Sequence, residues 1–286
     1  MIRLLLALAG ALALAACGAP ENRTWPAPSP ALWQVSGEHG ERAWLFGTIH
    51  ALPDGVVWRT RQIEQAFADS DLLMVEIGNL GDARDAQRAF EAFAKGPPQS
   101  PLSTRVAPAD RPALTALMAR AGLTDDDFWN VETWAAALML SNAARDSETG
   151  NGVDRALLAE GKPVEGLESY TQQFDRFDRL PAEDQRALLA GVAHEAQAER
   201  ADERIVAWLT GDLAALERQM NGEFLGSPGL RGPLLVERNH DFASRIAGAI
   251  EQRRRPFVAV GAGHMIGPDG LPALLAARGY TVTRLR

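Results

Sequence analysis

Five histidines, His39, His50, His194, His240 and His264, are the side chains best suited to bind a metal or move a proton near neutral pH. His50 closes Leu45-Phe-Gly-Thr-Ile-His50 and His264 closes Val258-Ala-Val-Gly-Ala-Gly-His264, each three residues after a glycine that ends a strand-forming stretch. An imidazole just past a strand end lies where open α/β sheets gather their ligands. Gly191-Val-Ala-His194 has the same spacing inside a helical pattern, so spacing alone does not discriminate. His50 and His264 are both followed by Pro-Asp-Gly, Pro53-Asp54-Gly55 and Pro268-Asp269-Gly270, at offsets differing by one residue. Two origins fit that pattern. One is an internal repeat in which two half-sheets each send a histidine to one site, and the other is a pair of turns built from the same turn residues.

Glu76 stands out next, because Leu72-Leu-Met-Val-Glu76-Ile places a carboxylate at the end of an apolar run. Buried there without a partner it would cost several kcal/mol or neutralise; a metal or an arginine solves the problem, and an edge-exposed or ion-paired position avoids it. Two imidazoles and one carboxylate form a ligand set suited to a divalent ion with a position left for water, which the ion would acidify while polarising a substrate carbonyl. Arg238 and Asn239, read as the start of a helix, could hold a substrate carboxylate or an oxyanion, or simply be solvated. Asp154 and Glu168 flank an expected strand at 162–168, as acids that orient a ligand histidine or as helix caps.

The elements that must position these groups follow from periodicity. Leu32–Ser36 and Arg42–Phe46 flank Gly37-Glu-His-Gly40 as a hairpin, Trp58–Ala68 has helical spacing, and Asp71–Ile77 reads as a strand buried on both faces. From about Ala83 to Arg245 the pattern is mostly helical. It then returns to alternation, with a helix at 242–252, a strand at 257–260, a helix at 271–278 and a strand at 280–285. The expected fold class is therefore α/β, a mixed central sheet built from the N- and C-terminal segments with a large helical insertion in the middle.

Length and composition agree with one globular domain: 286 residues, 46% hydrophobic and 23% charged. The net charge of −8 and the absence of a basic cluster beyond Arg253-Arg254-Arg255 argue against nucleic acid as a partner. A single cysteine, Cys17, excludes intramolecular disulfides and thiolate-rich metal sites, so a metal falls to His and carboxylates. Arg3 followed by the apolar run Leu4–Ala16 reads as an export signal too short for a permanent span. Leu14-Ala-Ala-Cys17 resembles the bacterial lipobox. That resemblance makes 1–16 a lipoprotein signal peptide and Cys17 the acylated (palmitate-bearing) N-terminus of the mature chain; Pro20, Pro26, Pro28 and Pro30 read as a tether over 17–31, and 32–286 as the domain. With Gly18 after the cysteine, the expected location is the cell envelope, anchored by lipid to the outer membrane and facing the periplasm.

Trp44-Leu-Phe-Gly-Thr-Ile-His50, Asp71-Leu-Leu-Met-Val-Glu76, Gly152-Val-Asp154, Gly166-Leu-Glu168 with Gln172-Gln173, Glu237-Arg-Asn239 and Val260-Gly-Ala-Gly-His264-Met-Ile-Gly267-Pro-Asp-Gly270 occur in this order. Together they resemble the TraB/GumN family, which is similar to the Tiki metalloproteases and groups with erythromycin esterases and a haem-binding lipoprotein. The resemblance implies His50, His264 and Glu76 as ligands of a divalent metal (manganese, cobalt or zinc), Glu76 as ligand or general base, and Arg238 with Asn239 as polar partners in catalysis. The activity it implies is a lipid-anchored, metal-dependent hydrolase, a peptidase acting on a peptide or small molecule. The alternatives are a non-catalytic peptide- or haem-binding lipoprotein, or an esterase without a serine nucleophile.

Overall fold

The computed structural model describes residues 24–143, 152–197, 201–222 and 226–285. Residues 1–16, which read as an export signal, and Cys17 lie outside the described residues. Strands β1 (Leu32–Ser36) and β2 (Arg42–Thr48) form the expected hairpin, closed by Gly37 N–H donating to Glu41 O and by Gly40 at φ 85°, a conformation that favours glycine. With β3 (Leu72–Ile77), β4 (Val164–Glu168), β5 (Pro256–Gly261) and β6 (Thr281–Leu285) they make one sheet in the order β4-β3-β5-β2-β1-β6. β4, β3, β5 and β2 are parallel, and β1 runs antiparallel to both β2 and β6. The N- and C-terminal segments thus interleave at the sheet's centre. The helical middle also contributes β4, which forms one edge.

Successive residues of β3 face opposite ways, Leu73 and Val75 into one apolar cluster, Leu72 and Met74 into another. On the first face lie α1 (Arg61–Asp69), α5 (Val153–Leu158), α8 (Ala201–Leu209) and α9 (Leu213–Gly222), packed around Phe46, Trp58 and Trp208. α1 begins at Arg61 because Thr60 caps it, its hydroxyl accepting from Ile63 N–H; Trp58 is left in the preceding loop, buried in the core. The other face is covered by α11 (Glu237–Glu251) and α12 (Leu271–Ala277).

The remaining helices, α2 (Ala83–Ala94), α3 (Arg111–Arg120), α4 (Thr133–Ala143), α6 (Tyr170–Asp178) and α7 (Ala182–Glu195), bury a separate core of their own. Trp134 lies at its centre, stacked on Phe174 and Phe177 at ring-centroid distances of 6.0 and 5.9 Å, with its indole N–H donating to Asp178 Oδ1. Nearby, the buried Arg105 guanidinium donates to the carbonyls of Ser100, Phe128 and Val131, tying the connecting loops together.

One sequence expectation changes. The described end of the proline-rich segment is not a loose tether: Trp25 packs against the first core, Ser29 N–H donates to Leu209 O at 2.8 Å, and Pro30 and Ala31 are buried. Arg238 and Asn239 stand in the first turn of α11, as expected, but no loop precedes that helix. A short helix, α10 (Pro228–Arg231), runs through a π turn at Gly232–Val236 directly into α11, with Glu237 N–H reaching back to Gly232 O. Pro233, which has no N–H, interrupts the regular ladder within that turn.

Replacing Trp134 by alanine is expected to destabilise the protein by about 3–5 kcal/mol, since it empties a buried site lined by three aromatic rings. Urea unfolding monitored by circular dichroism measures this, and a loss below about 1 kcal/mol would show that the insertion does not depend on that core.

Candidate active site

The C-terminal ends of the parallel strands bring the sequence's candidates together. β2 and β5 are neighbours, with Gly47 opposite Val260 and Thr48 opposite Gly261, so the two Gly-x-x-His segments leave the sheet side by side. Gly47 permits this: a β-carbon there would lie 3.0 Å from Ala262 Cα. Gly261 lies where the groups converge. A β-carbon on it would fall 3.2 Å from Glu76 Oε1, 3.7 Å from His50 Nε2 and 3.8 Å from His264 Cδ2.

Each histidine is oriented from behind. His50 Nδ1 lies 2.8 Å from Asp154 Oδ2, and Thr48 donates its hydroxyl to the other oxygen of that carboxylate at 2.6 Å. Since Asp154 accepts, His50 carries a proton on Nδ1, and in the neutral ring Nε2 holds the lone pair. Asp154 reaches this place because α5 begins beside the loop after β2. Val153 N–H donates to Ile49 O at 3.0 Å, and a β-carbon at Gly152 would fall 2.3 Å from His50 O. Gly152-Val-Asp154 is therefore a docking element for the His50 backbone as well as the source of its acid.

His264, in a short 3₁₀ turn after β5, is held by Asn239. Asn239 Nδ2 donates to Asp269 O at 2.7 Å, which turns Oδ1 toward His264 Nδ1 at 2.5 Å. Here too the proton belongs on Nδ1 and the lone pair on Nε2, which faces Glu76 Oε1 at 3.7 Å. Burial is the main cause that lowers the His264 pKa, to about 4; Glu76 opposes it, while Arg238 and His50 reinforce it. The two rings differ in access: the His50 side chain is 57% exposed and that of His264 only 6%.

Alternation along β3 puts Glu76 on the same face as Leu72 and Met74, toward α11. There Arg238 Nη2 donates to Glu76 Oε2 at 2.6 Å, and Gly261 N–H donates to Oε1 at 2.8 Å. Arg238 also donates from Nε and Nη2 to Glu168 and from Nη1 to Leu234 O, and its guanidinium lies over the Phe242 ring. Burial alone would raise the Glu76 pKa. Arg238 first, then the two histidines and the Gly261 amide, hold it instead well below the usual carboxylate range. For Glu168 burial dominates and pushes the pKa up against the pull of Arg238. Burial works against the charge on Arg238 as well, but its two carboxylates more than offset this and raise its pKa.

Glu76, His50, His264, Arg238 and Asn239 thus meet in one place, together with Asp154 and Glu168, which the sequence left between orienting and capping roles. Arg238 and Asn239 spend most of their hydrogen-bonding capacity on neighbours in the site. Asn239 occupies the buried stripe of α11 shared with Phe242, Ala243, Ile246 and Ile250, and a lone amide on such a stripe is a signal visible in the sequence. Thr48 has no such signal, since a strand-end threonine carries no mark of its partner 106 residues away. The other histidines lie elsewhere: His39 in the hairpin turn, His240 exposed on α11, and His194 paired with Asp110 in the helical layer at 2.9 Å.

Among the described residues no three His, Cys, Asp or Glu side chains already stand in a group that would hold a metal ion. The chemistry of the donor set nevertheless fits one. An imidazole lone pair and a carboxylate oxygen face each other across 3.7 Å with no proton between them, and the Glu76 and Glu168 carboxylates share a single guanidinium. Imidazole nitrogen and carboxylate oxygen are donor types that a divalent ion takes.

The sequence matches the TraB/PrgY/gumN family over residues 31–284. Among curated proteins and among solved structures, none matches the chain.

Two outcomes are expected of this geometry. Because His264 has its pKa lowered to about 4 from an ordinary 6.5, the unfolded chain binds a proton there that the folded one does not. Its contribution is complete above pH 6.5 and is lost as pH falls toward 4, roughly 3 kcal/mol in all. Stability measured across that range should fall less steeply in His264→Gln than in the parent. Gly152→Ala should displace α5 from His50, costing about 1–3 kcal/mol and shifting the His50 ring resonances; unchanged resonances would sever the proposed coupling between Gly152 and His50.

Proposed function

The chain belongs to the TraB/PrgY/gumN family, and from that membership together with the geometry of its site we propose that it is a metal-dependent hydrolase of peptide bonds, anchored to the cell envelope through lipid on Cys17. The observation that carries this reading is the pair of imidazoles, each with Nδ1 held by an acceptor and Nε2 turned toward the space beside Glu76 and Gly261. His50, His264 and Glu76 would hold the ion. Bound there, a divalent cation supplies a Lewis acid for the substrate carbonyl and makes water acidic enough to attack it near neutral pH.

The chain's own residues prepare the site. Asp154, steadied by Thr48, and Asn239, steadied by the Asp269 carbonyl, engage both Nδ1 atoms and aim the two rings. Arg238 keeps Glu76 ionised. A carboxylate held so far below its usual range is a poor proton acceptor, which favours the ligand role of Glu76 over the general-base role. Substrate enters from the His50 side, because His264 is sealed beneath α11 and Phe242. The negative charge shared by Glu76 and Glu168 is unfavourable for an acidic residue close to the scissile bond.

Elemental analysis of the purified full-length protein is expected to show about one divalent ion per chain, lost in His264→Ala and in Glu76→Gln. Asp154→Asn should retain the fold and bind the ion about 10–100-fold more weakly. Cleavage of a quenched fluorescent peptide library should follow metal occupancy. A protein that takes up neither manganese, cobalt nor zinc and cleaves no peptide, yet gives a Soret band with haemin, would replace this reading with the haem-binding one.

A further inference from the structure

The place where the chain enters the domain bears on how the site meets its surroundings. β1 runs opposite to β2, so Leu32, at the start of β1, lies beside Phe46, two residues before Thr48 and four before His50. Leu32 also pairs with Leu285 at the end of β6. The chain therefore enters at the end of the sheet that carries the site, one strand away from β2. It is fastened there: Ser29 N–H donates to Leu209 O, a β-carbon at Gly211 would fall 2.6 Å from Ser29 O, and Trp25 packs into the cluster containing Trp58 and Trp208. From Cys17 to Thr24 a fully extended chain spans only about 25 Å.

The same rim carries apolar surface. Among the described residues four large hydrophobic side chains are exposed, and Val57, at 68%, is the most exposed of them. It lies in the loop between His50 and α1, next to buried Trp58. Val206, at 39%, belongs to α8, whose last residue, Leu209, receives the Ser29 hydrogen bond. The hairpin turn at the opposite end of the sheet instead presents Glu38, His39 and Arg42, beside Arg253 and Arg255 just before β5, all charged or polar.

We propose that the rim around the chain entry, with Val57 and Val206, is a docking surface for the lipid bilayer that receives the acyl chains on Cys17, so that the candidate active site faces the membrane at close range. This rests on the lipid-anchor part of the functional reading and adds an orientation to it. The short span from Cys17 keeps the site-bearing end near the bilayer, and the exposed valines gain by reaching its interface. Substrates held at the same membrane surface are then the ones the site meets most often.

The mature chain carries no thiol except Cys17, which acylation consumes, so one introduced cysteine labels uniquely. Full-length Val57→Cys and Glu38→Cys proteins, made in a host that processes lipoproteins, are labelled with an environment-sensitive fluorophore. They are reconstituted into phosphatidylethanolamine/phosphatidylglycerol vesicles carrying a nitroxide quencher at the headgroup, and the mass of the N-terminal peptide reports acylation. With acylated protein, quenching several-fold stronger at position 57 than at position 38 is expected. Equal quenching, or stronger quenching at 38, in acylated protein overturns the orientation and leaves the anchor standing. An N-terminal peptide without acyl mass overturns both.

Discussion

Glu76 sits at the end of a strand packed on both faces, and a carboxylate in that position has to be compensated or it neutralises. Compensation comes from Arg238 on α11 and from the Gly261 amide at the end of β5, so one side chain ties together three elements that are far apart in sequence. Arg238 can reach it because α11 covers the face toward which Glu76 points, and the π turn at Gly232–Val236 leads the chain into that helix. Glu168 then gives the same guanidinium a second anion and pins the end of the edge strand β4 to the site. Removing Arg238 would leave two carboxylates without their shared cation, a larger loss than that of one exposed ion pair.

Close approach of backbones is the second requirement, and glycine meets it. At positions 47, 152 and 261 a β-carbon would intrude on Ala262, on the His50 carbonyl or on the Glu76 carboxylate. The glycines of the Gly-x-x-His segments therefore act less as flexible turns than as places where the site's elements come within van der Waals distance. With space closed from behind and each Nδ1 engaged, the imidazoles retain a defined tautomer and their Nε2 atoms point into the site. The helical insertion packs its own core around Trp134 and meets the site through α6, whose Gln173 donates to Glu168.

Much of this was legible in the residues themselves. The alternation of Leu72–Ile77, the Gly-turn hairpin at 37–40 and the helical periods of the middle segment report local backbone preferences and burial, which a chain carries along its own length. The α/β class with a helical insertion follows from them, and so do the candidacies of His50, His264 and Glu76, because an imidazole or carboxylate at a strand end is unusual where it stands. Which acid serves which histidine was not legible. Asp154 lies 104 residues from His50, and Glu168 lies 70 from Arg238, and no local preference encodes contacts of that separation.

The chain by itself determined the kinds of groups available for chemistry: no thiol outside Cys17, a few histidines, and a carboxylate placed where water would be excluded. Tertiary structure decided their states. Setting β5 between β3 and β2 brings Gly261 over Glu76 and sets the two histidine segments side by side. Packing α11 against that centre buries His264 until its imidazole is neutral and gives Glu76 an arginine that keeps it charged. Protonation and orientation depend on which charges and dipoles lie within a few ångströms, and those neighbours come from opposite ends of the sequence.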